Sequence, residues 1–228
     1  MPDLPAPART SSPGRDHLAG NGSEPLRERR RRELRRQLSE VATRMFLDRG
    51  FDAVRVADVA RACGVAEKTV FNHFRTKESL LVDRWEEQTR ALCDGLADPD
   101  TAPVDAALAV LDGELAFLTS PASQRAGGFG VDELRRFSRL VASTPSLVAH
   151  NREALDRLTA AAAAALAGRT RSAPEDPEAW ITAVALAGLW QVYTVSLHRH
   201  LDGDDPAAIG RAVTVDLRRA AGKLRGGI

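Results

Sequence analysis

Residues able to do covalent or metal chemistry are few and scattered in this chain. Its 228 residues include five histidines and two cysteines. Cys63 and Cys93 stand thirty positions apart and read as small core residues in a reducing compartment. His198 and His200 are two apart, which puts them on different sides of a helix and disfavours metal sensing. No group of Cys, His and acidic residues has ligand spacing, so neither a metal nor another cofactor is expected. No nucleophile motif or phosphate loop appears either, which argues against an enzyme. What remains is non-covalent readout. Glu67, Lys68 and Thr69 open a short helical segment. A lysine there can contact guanine, and a threonine can contact a phosphate or the thymine methyl group.

Those side chains are useful only if something holds their helix against a groove. The run Val56-Ala57-Asp58-Val59-Ala60-Arg61-Ala62-Cys63-Gly64-Val65-Ala66-Glu67-Lys68-Thr69-Val70-Phe71-Asn72-His73-Phe74 predicts two short helices with a glycine between them, a helix-turn-helix. Ala60 is small where the helices cross, and Gly64 accepts a positive φ without a Cβ clash. Val65 and Val70 fill the core between the two helices. Upstream, Leu34, Leu38, Val41, Ala42, Met45 and Phe46 fall on one helical face that Gly50 terminates. Downstream, Thr76 is the expected N-cap of a fourth helix carrying Leu80, Leu81, Trp85 and Leu92. Residues 25–76 are therefore read as a three-helix DNA-binding domain, and 1–24, rich in Pro, Gly, Ser and Ala, as a disordered tail.

Across about residues 30–85 this segment resembles the N-terminal domain of the TetR (TetR/AcrR) family of one-component regulators. The resemblance rests on Phe46 to Phe51, Val56 to Ala60, Cys63-Gly64-Val65, Thr69 to Phe74 and Lys77-Glu78-Ser79-Leu80. It departs from the family at Arg55 or Val56, where Thr is frequent, and at Ala66, where Ser or Thr would cap the helix. The resemblance implies DNA contacts by Arg55, Glu67, Lys68, Thr69, Phe71, Asn72, His73 and Lys77, with Phe71 and His73 against the backbone. Lys77, at the start of the fourth helix, fits a phosphate contact. Arg27, Arg29 to Arg32, Arg35 and Arg36 form a basic arm, read equally as a minor-groove or phosphate contact and as a solvated charge run.

Residues 77–228 read as a larger helical domain for effector binding and dimerisation. Helices are expected over 104–118, 131–143, 146–168, 178–201 and 206–224, with a loop over 120–130, a linker over 170–177 and a stop at Gly168. No hairpin signal or internal repeat is present, so the fold class is all-α. Trp85, Leu92, Phe117, Phe137, Leu140, Trp190 and Tyr193, with Leu118 beside them, are the bulky residues here, and the resemblance implies that they line an effector cavity. Gln191, Thr194 and His198 are polar candidates. The last two helices resemble the family's dimer interface, where Ala183, Ala187 and Gly188 would allow close approach.

Charge supports this division. Residues 25–90 carry 16 basic and 11 acidic side chains, whereas 91–228 carry 14 and 17. Only the early segment is basic. No run approaches ~18 uninterrupted apolar residues and no apolar stretch follows Arg9 and Arg15, so the expectation is a cytoplasmic protein without a membrane partner. The expected function is a ligand-responsive homodimeric repressor, released from palindromic double-stranded operator DNA by an unidentified small molecule. Two alternatives stand beside it. One is an architectural DNA-binding protein without effector, which leaves the apolar second half unexplained. The other is a helical enzyme, for which no catalytic motif is seen.

Overall fold

In the computed structural model, residues 26–82, 84–119, 130–173 and 175–226 are described. The tail over 1–24, and the loop over 120–130 apart from Gly130, lie outside them. The described residues are helical, with no strand among them. Three helices come first: α1 (Leu26–Arg49), α2 (Val56–Ala62) and α3 (Glu67–His73). After a 3-10 turn at Glu78–Leu80 follow α4 (Trp85–Ala97), α5 (Pro103–Thr119) and α6 (Val131–Ser143). The chain then forms α7 (Pro145–Thr170), α8 (Pro177–His200) and α9 (Pro206–Arg225).

Local chemistry sets these boundaries. Helices α5, α7, α8 and α9 each begin with proline at the first helical position, where the missing N–H has no partner to lose. Asp176 accepts from the amides of Glu178 and Ala179 at 2.8 and 3.3 Å, and Asp205 accepts from Ala207 at 2.9 Å. Gly50, at φ +87°, ends α1 by donating to the Phe46 carbonyl at 2.9 Å. Helix α7 does not stop at Gly168 as expected. It runs to Thr170 and ends on Arg171 at φ 56°, where Ser172 donates back to Ala167.

Three more expectations are corrected. Thr76 and Ser79 do exchange hydrogen bonds, each amide to the other's hydroxyl at 3.2 Å, but they cap a single 3-10 turn. The continuous fourth helix from Lys77 to Leu92 does not form, because α4 starts only at Trp85. The arginine arm is not a lead-in, since α1 already begins at Leu26 and carries Arg27 to Arg36 within it. Arg36 is spent on ion pairs to Glu33 and Glu40 at 2.7 and 2.6 Å.

Two cores result. One gathers Leu38, Ala42, Phe46, Phe51, Val54, Val59, Ala60, Val70, Phe74, Leu80 and Leu81, and it reaches forward to Leu147 at the start of α7. The other fills the bundle α4–α9 around α8, which packs on α5, α7 and α9. Helix α8 is long and apolar enough to cross a membrane, with a mean hydropathy of 1.4. Here one side of it, carrying Ala183, Leu186, Leu189, Trp190, Tyr193 and Leu197, builds the interior of the bundle.

Helix α6 belongs to both cores. Its Leu134 is buried with the bundle, while Phe137, Leu140 and Val141 pack on the N-terminal core. Arg135 donates to the carbonyl of Leu201, to that of Gly203 at 2.8 Å and to the Asp204 carboxylate at 2.8 Å. The next residue, Arg136, donates to the Leu47 carbonyl of α1 at 2.6 Å and lies 3.3 Å from Asp48.

Candidate nucleic-acid interface and effector region

The turn between α2 and α3 closes by backbone bonds alone. Val65 donates to Ala60 at 3.0 Å and Gly64 to Arg61 at 3.2 Å, with Gly64 at φ +68°. Asp58 accepts from the Arg55 amide at 3.1 Å and fixes the entry to α2. Val59, Ala60, Val70 and Phe74 are buried, so the rest of α3 is turned outward. Glu67, Lys68, Phe71 and Asn72 are exposed, Thr69 is half-buried, and Phe71 keeps 47% of its surface accessible. An aromatic this exposed, beside a buried Val70, is not serving the core. Arg55 is also exposed.

His73 and Lys77 are held differently. The His73 carbonyl accepts from Arg35 of α1, whose guanidinium lies 4.4 Å from the Phe74 ring centroid. Arg35, read from sequence as an arm residue, therefore clamps the end of α3. Nothing local signals this, because the partners are 38 residues apart. Partial burial, then Arg31 and Arg35, push the His73 imidazole pKa down and favour its neutral form. The Lys77 ammonium sits 4.3 Å from the Phe51 ring centroid and 5.7 Å from that of Phe46.

The residues predicted to line a cavity divide between the two cores. Phe137 and Leu140 pack on the N-terminal core, whereas Leu92, Trp190 and Tyr193 are buried in the bundle with Trp85 and Leu118 half-buried against it. Trp85 donates to Asn151 at 3.0 Å and Trp190 to Gln88 at 2.9 Å. Phe117 is 46% exposed beneath the Arg84 guanidinium, 4.2 Å from its ring centroid. Arg84 also donates to Glu114 at 2.6 Å. The Tyr193 hydroxyl is buried without a hydrogen-bond partner among the described residues. Burial, then the Glu114 carboxylate, push its ionisation far above the ordinary tyrosine range. Asn151, Gln88, Arg84 and Glu114 escaped sequence reasoning, since polar residues on amphipathic helices ordinarily face water.

Two surface concavities, of about 550 and 500 Å³, lie elsewhere. The first surrounds Arg135 and Asp204; the second runs between α8 and α9 past Gln191, Ser196 and Asp216. None of the seven aromatic and aliphatic candidates lines either one. Thr194 and His198 are exposed, and His198 faces the Ser138 hydroxyl at 3.2 Å. Among the described residues no group of three or more His, Cys, Asp and Glu could hold a metal. Ala183 and Ala187 are buried within the bundle rather than presented for close approach. Gly188 is half-exposed, and open space lies where its Cβ would be.

A buried scaffold carrying an outward second helix, joined to a helical body, defines a helix-turn-helix module of the DNA-binding kind. Residues 38–83 match the family model for bacterial regulatory proteins of the tetR family. Over those residues the chain resembles the DNA-binding domain of the TetR family of transcriptional regulators. It is 30% identical over 125 residues to a regulator of Mycobacterium tuberculosis named for mycofactocin biosynthesis, covering 54% of this chain and 59% of that one. It is 31% identical over 78 residues to the HTH-type transcriptional repressor DhaR of a Mycobacterium species, covering 32% and 39%. The matched stretches thus span less than two thirds of either relative. The fold is shared with NalD of Pseudomonas aeruginosa, described as the secondary repressor of the MexAB-OprM multidrug efflux pump. The two are 18% identical, with a TM-score of 0.50, over 83% of this chain and 97% of that one.

Proposed function

We propose that this protein is a cytoplasmic repressor that binds a palindromic operator as a homodimer and leaves it when a small molecule occupies the bundle. The observation that carries this reading is the exposed face of α3, with Lys68, Phe71 and Asn72 outward over Val70 and Phe74. Arg35 locks its far end. Arg55, Glu67, Thr69 and His73 flank that face, and Lys77 stands beside it. The half-buried polar cluster of α4, α5 and α8 is where an effector would act.

An outer stripe on α8 favours the dimer. Trp180, Ile181 and Val184 are 44–64% exposed and Val195 is 58% exposed, and Val215 of α9 is exposed as well. Large apolar side chains at helical spacing on one outer face fit a two-fold contact. The test selects DNA bound by the full-length protein from a random pool and sediments the complex. A palindrome bound by two chains is expected. A stable monomer on DNA, or selection of no sequence at all, would overturn the reading.

A further inference from the structure

Glu114 is a carboxylate with only 11% of its side chain exposed, and among the described residues Arg84 is its one ion-pair partner. Arg84 covers two groups at once: it meets Glu114 at 2.6 Å and its guanidinium carbon lies over the half-exposed Phe117 ring, 4.2 Å from the centroid. A sheltered acid beside an open aromatic face is a receptor for a weakly hydrated cation. Here the chain's own guanidinium fills it. That guanidinium also has somewhere to go, because Glu87, one turn along α4 and well exposed, is already 3.9 Å away. The Tyr193 hydroxyl, on the helix α8 that packs against α5, is buried in the same core with no hydrogen-bond partner among the described residues. It offers a hydrogen bond that nothing among the described residues accepts.

We propose that Glu114, Phe117 and Tyr193 form the subsite for an apolar monocation carrying a hydrogen-bond acceptor, an ammonium ester or amide, which replaces Arg84 on Glu114. This rests on the reading of the bundle as an effector domain and gives that effector a chemical class. An anion recruited by Arg84 would instead strip Glu114 of its partner and leave a sheltered carboxylate uncompensated, which is strongly unfavourable. Displacing Arg84 frees the residue that precedes α4. That residue follows Leu80 and Leu81, which belong to the core beneath the recognition helix.

The probes are benzoylcholine, its carbon isostere 3,3-dimethylbutyl benzoate, and hippurate, titrated calorimetrically into full-length protein. Benzoylcholine should bind roughly tenfold tighter than the isostere, and hippurate should not bind. Glu114→Gln should erase the preference for charge. Tyr193→Phe should weaken both esters alike. Arg84→Ala should tighten benzoylcholine binding, because it removes the internal competitor, and this arm decides the matter even where Glu114→Gln fails to fold. Equal binding of cation and isostere, preference for hippurate, failure of all three to bind, or weakening by Arg84→Ala each overturns the proposal. Operator binding by the unliganded protein, measured separately, reports on the repressor reading alone.

Discussion

Lys77 is the position at which stability and DNA affinity should part company measurably. Its ammonium lies 4.3 Å from the Phe51 centroid in a half-buried setting, between the exposed and the desolvated limits for such contacts. Replacing it with methionine keeps the stem and removes the charge, and should cost about 1 kcal/mol of stability. For a chain of this length that lowers the melting temperature by about 2–4 °C. A cation–π contact engages the charge and leaves N–H donors for a phosphate, so the ring also orders the ammonium in advance. Loss of one phosphate contact should flatten the slope of log K against log salt by about 0.9. Over a roughly fourfold rise in salt, wild type should then lose about 3.5-fold more affinity than the variant. The assay pairs urea denaturation with operator titration for Lys77→Met, Phe51→Leu and the double variant. A stability coupling near zero between the two positions would falsify the argument for ring-assisted placement. An unchanged salt slope would make Lys77 a packing residue only.

Other expectations follow from the same geometry. Gly64→Ala meets no neighbouring atom, so its whole penalty is the positive φ, about 1–2 kcal/mol, visible as a lower urea midpoint. Ser196 at 2.8 Å, then His200, hold the Asp216 carboxyl below its usual range. Its folded pKa lies under its unfolded one, so the stability it adds is present above the unfolded pKa. That stability is lost as pH falls through the folded value. Ser196→Ala should therefore move the acid-unfolding midpoint to higher pH, and an unmoved midpoint would count against the bond. Arg136→Ala should leave operator binding by free protein nearly intact while reducing the effector's influence on it; full retention of that influence would locate the coupling elsewhere.

Much of the architecture was legible because it follows from periodicity and from local signals. Gly64, Val70 and the spacing of Leu38, Ala42 and Phe46 act within a turn or two of themselves, and each sits where its pattern implies. The four proline starts are local in the same sense. What escaped was set by distant partners. Arg35 looks like any basic residue until His73 and Phe74 arrive beneath it. Phe137 and Leu140 are apolar on a helix of the second half, yet the surface they cover belongs to the first. Nothing near Lys77 announces that the helix expected there would yield after one 3-10 turn. The fate of Arg84 depends on Glu114, thirty residues on, and on a ring from the same helix.

The double allegiance of α6 bears on how the molecule can be taken apart. A fragment ending at Val82 would contain every helix of the DNA-binding module, yet it would lack Phe137, Leu140, Val141 and Leu147. Those four come from beyond residue 130 and cover the flank of the module formed by α1 and the 3-10 turn. Cut away from them, the fragment would bare a greasy surface and tend to self-associate. Proteases nicking the intact chain between α5 and α6 would for the same reason yield pieces that stay together until denatured. The boundary expected from function falls between residues 76 and 77, whereas the boundary drawn by cohesion cannot be found by cutting the chain once.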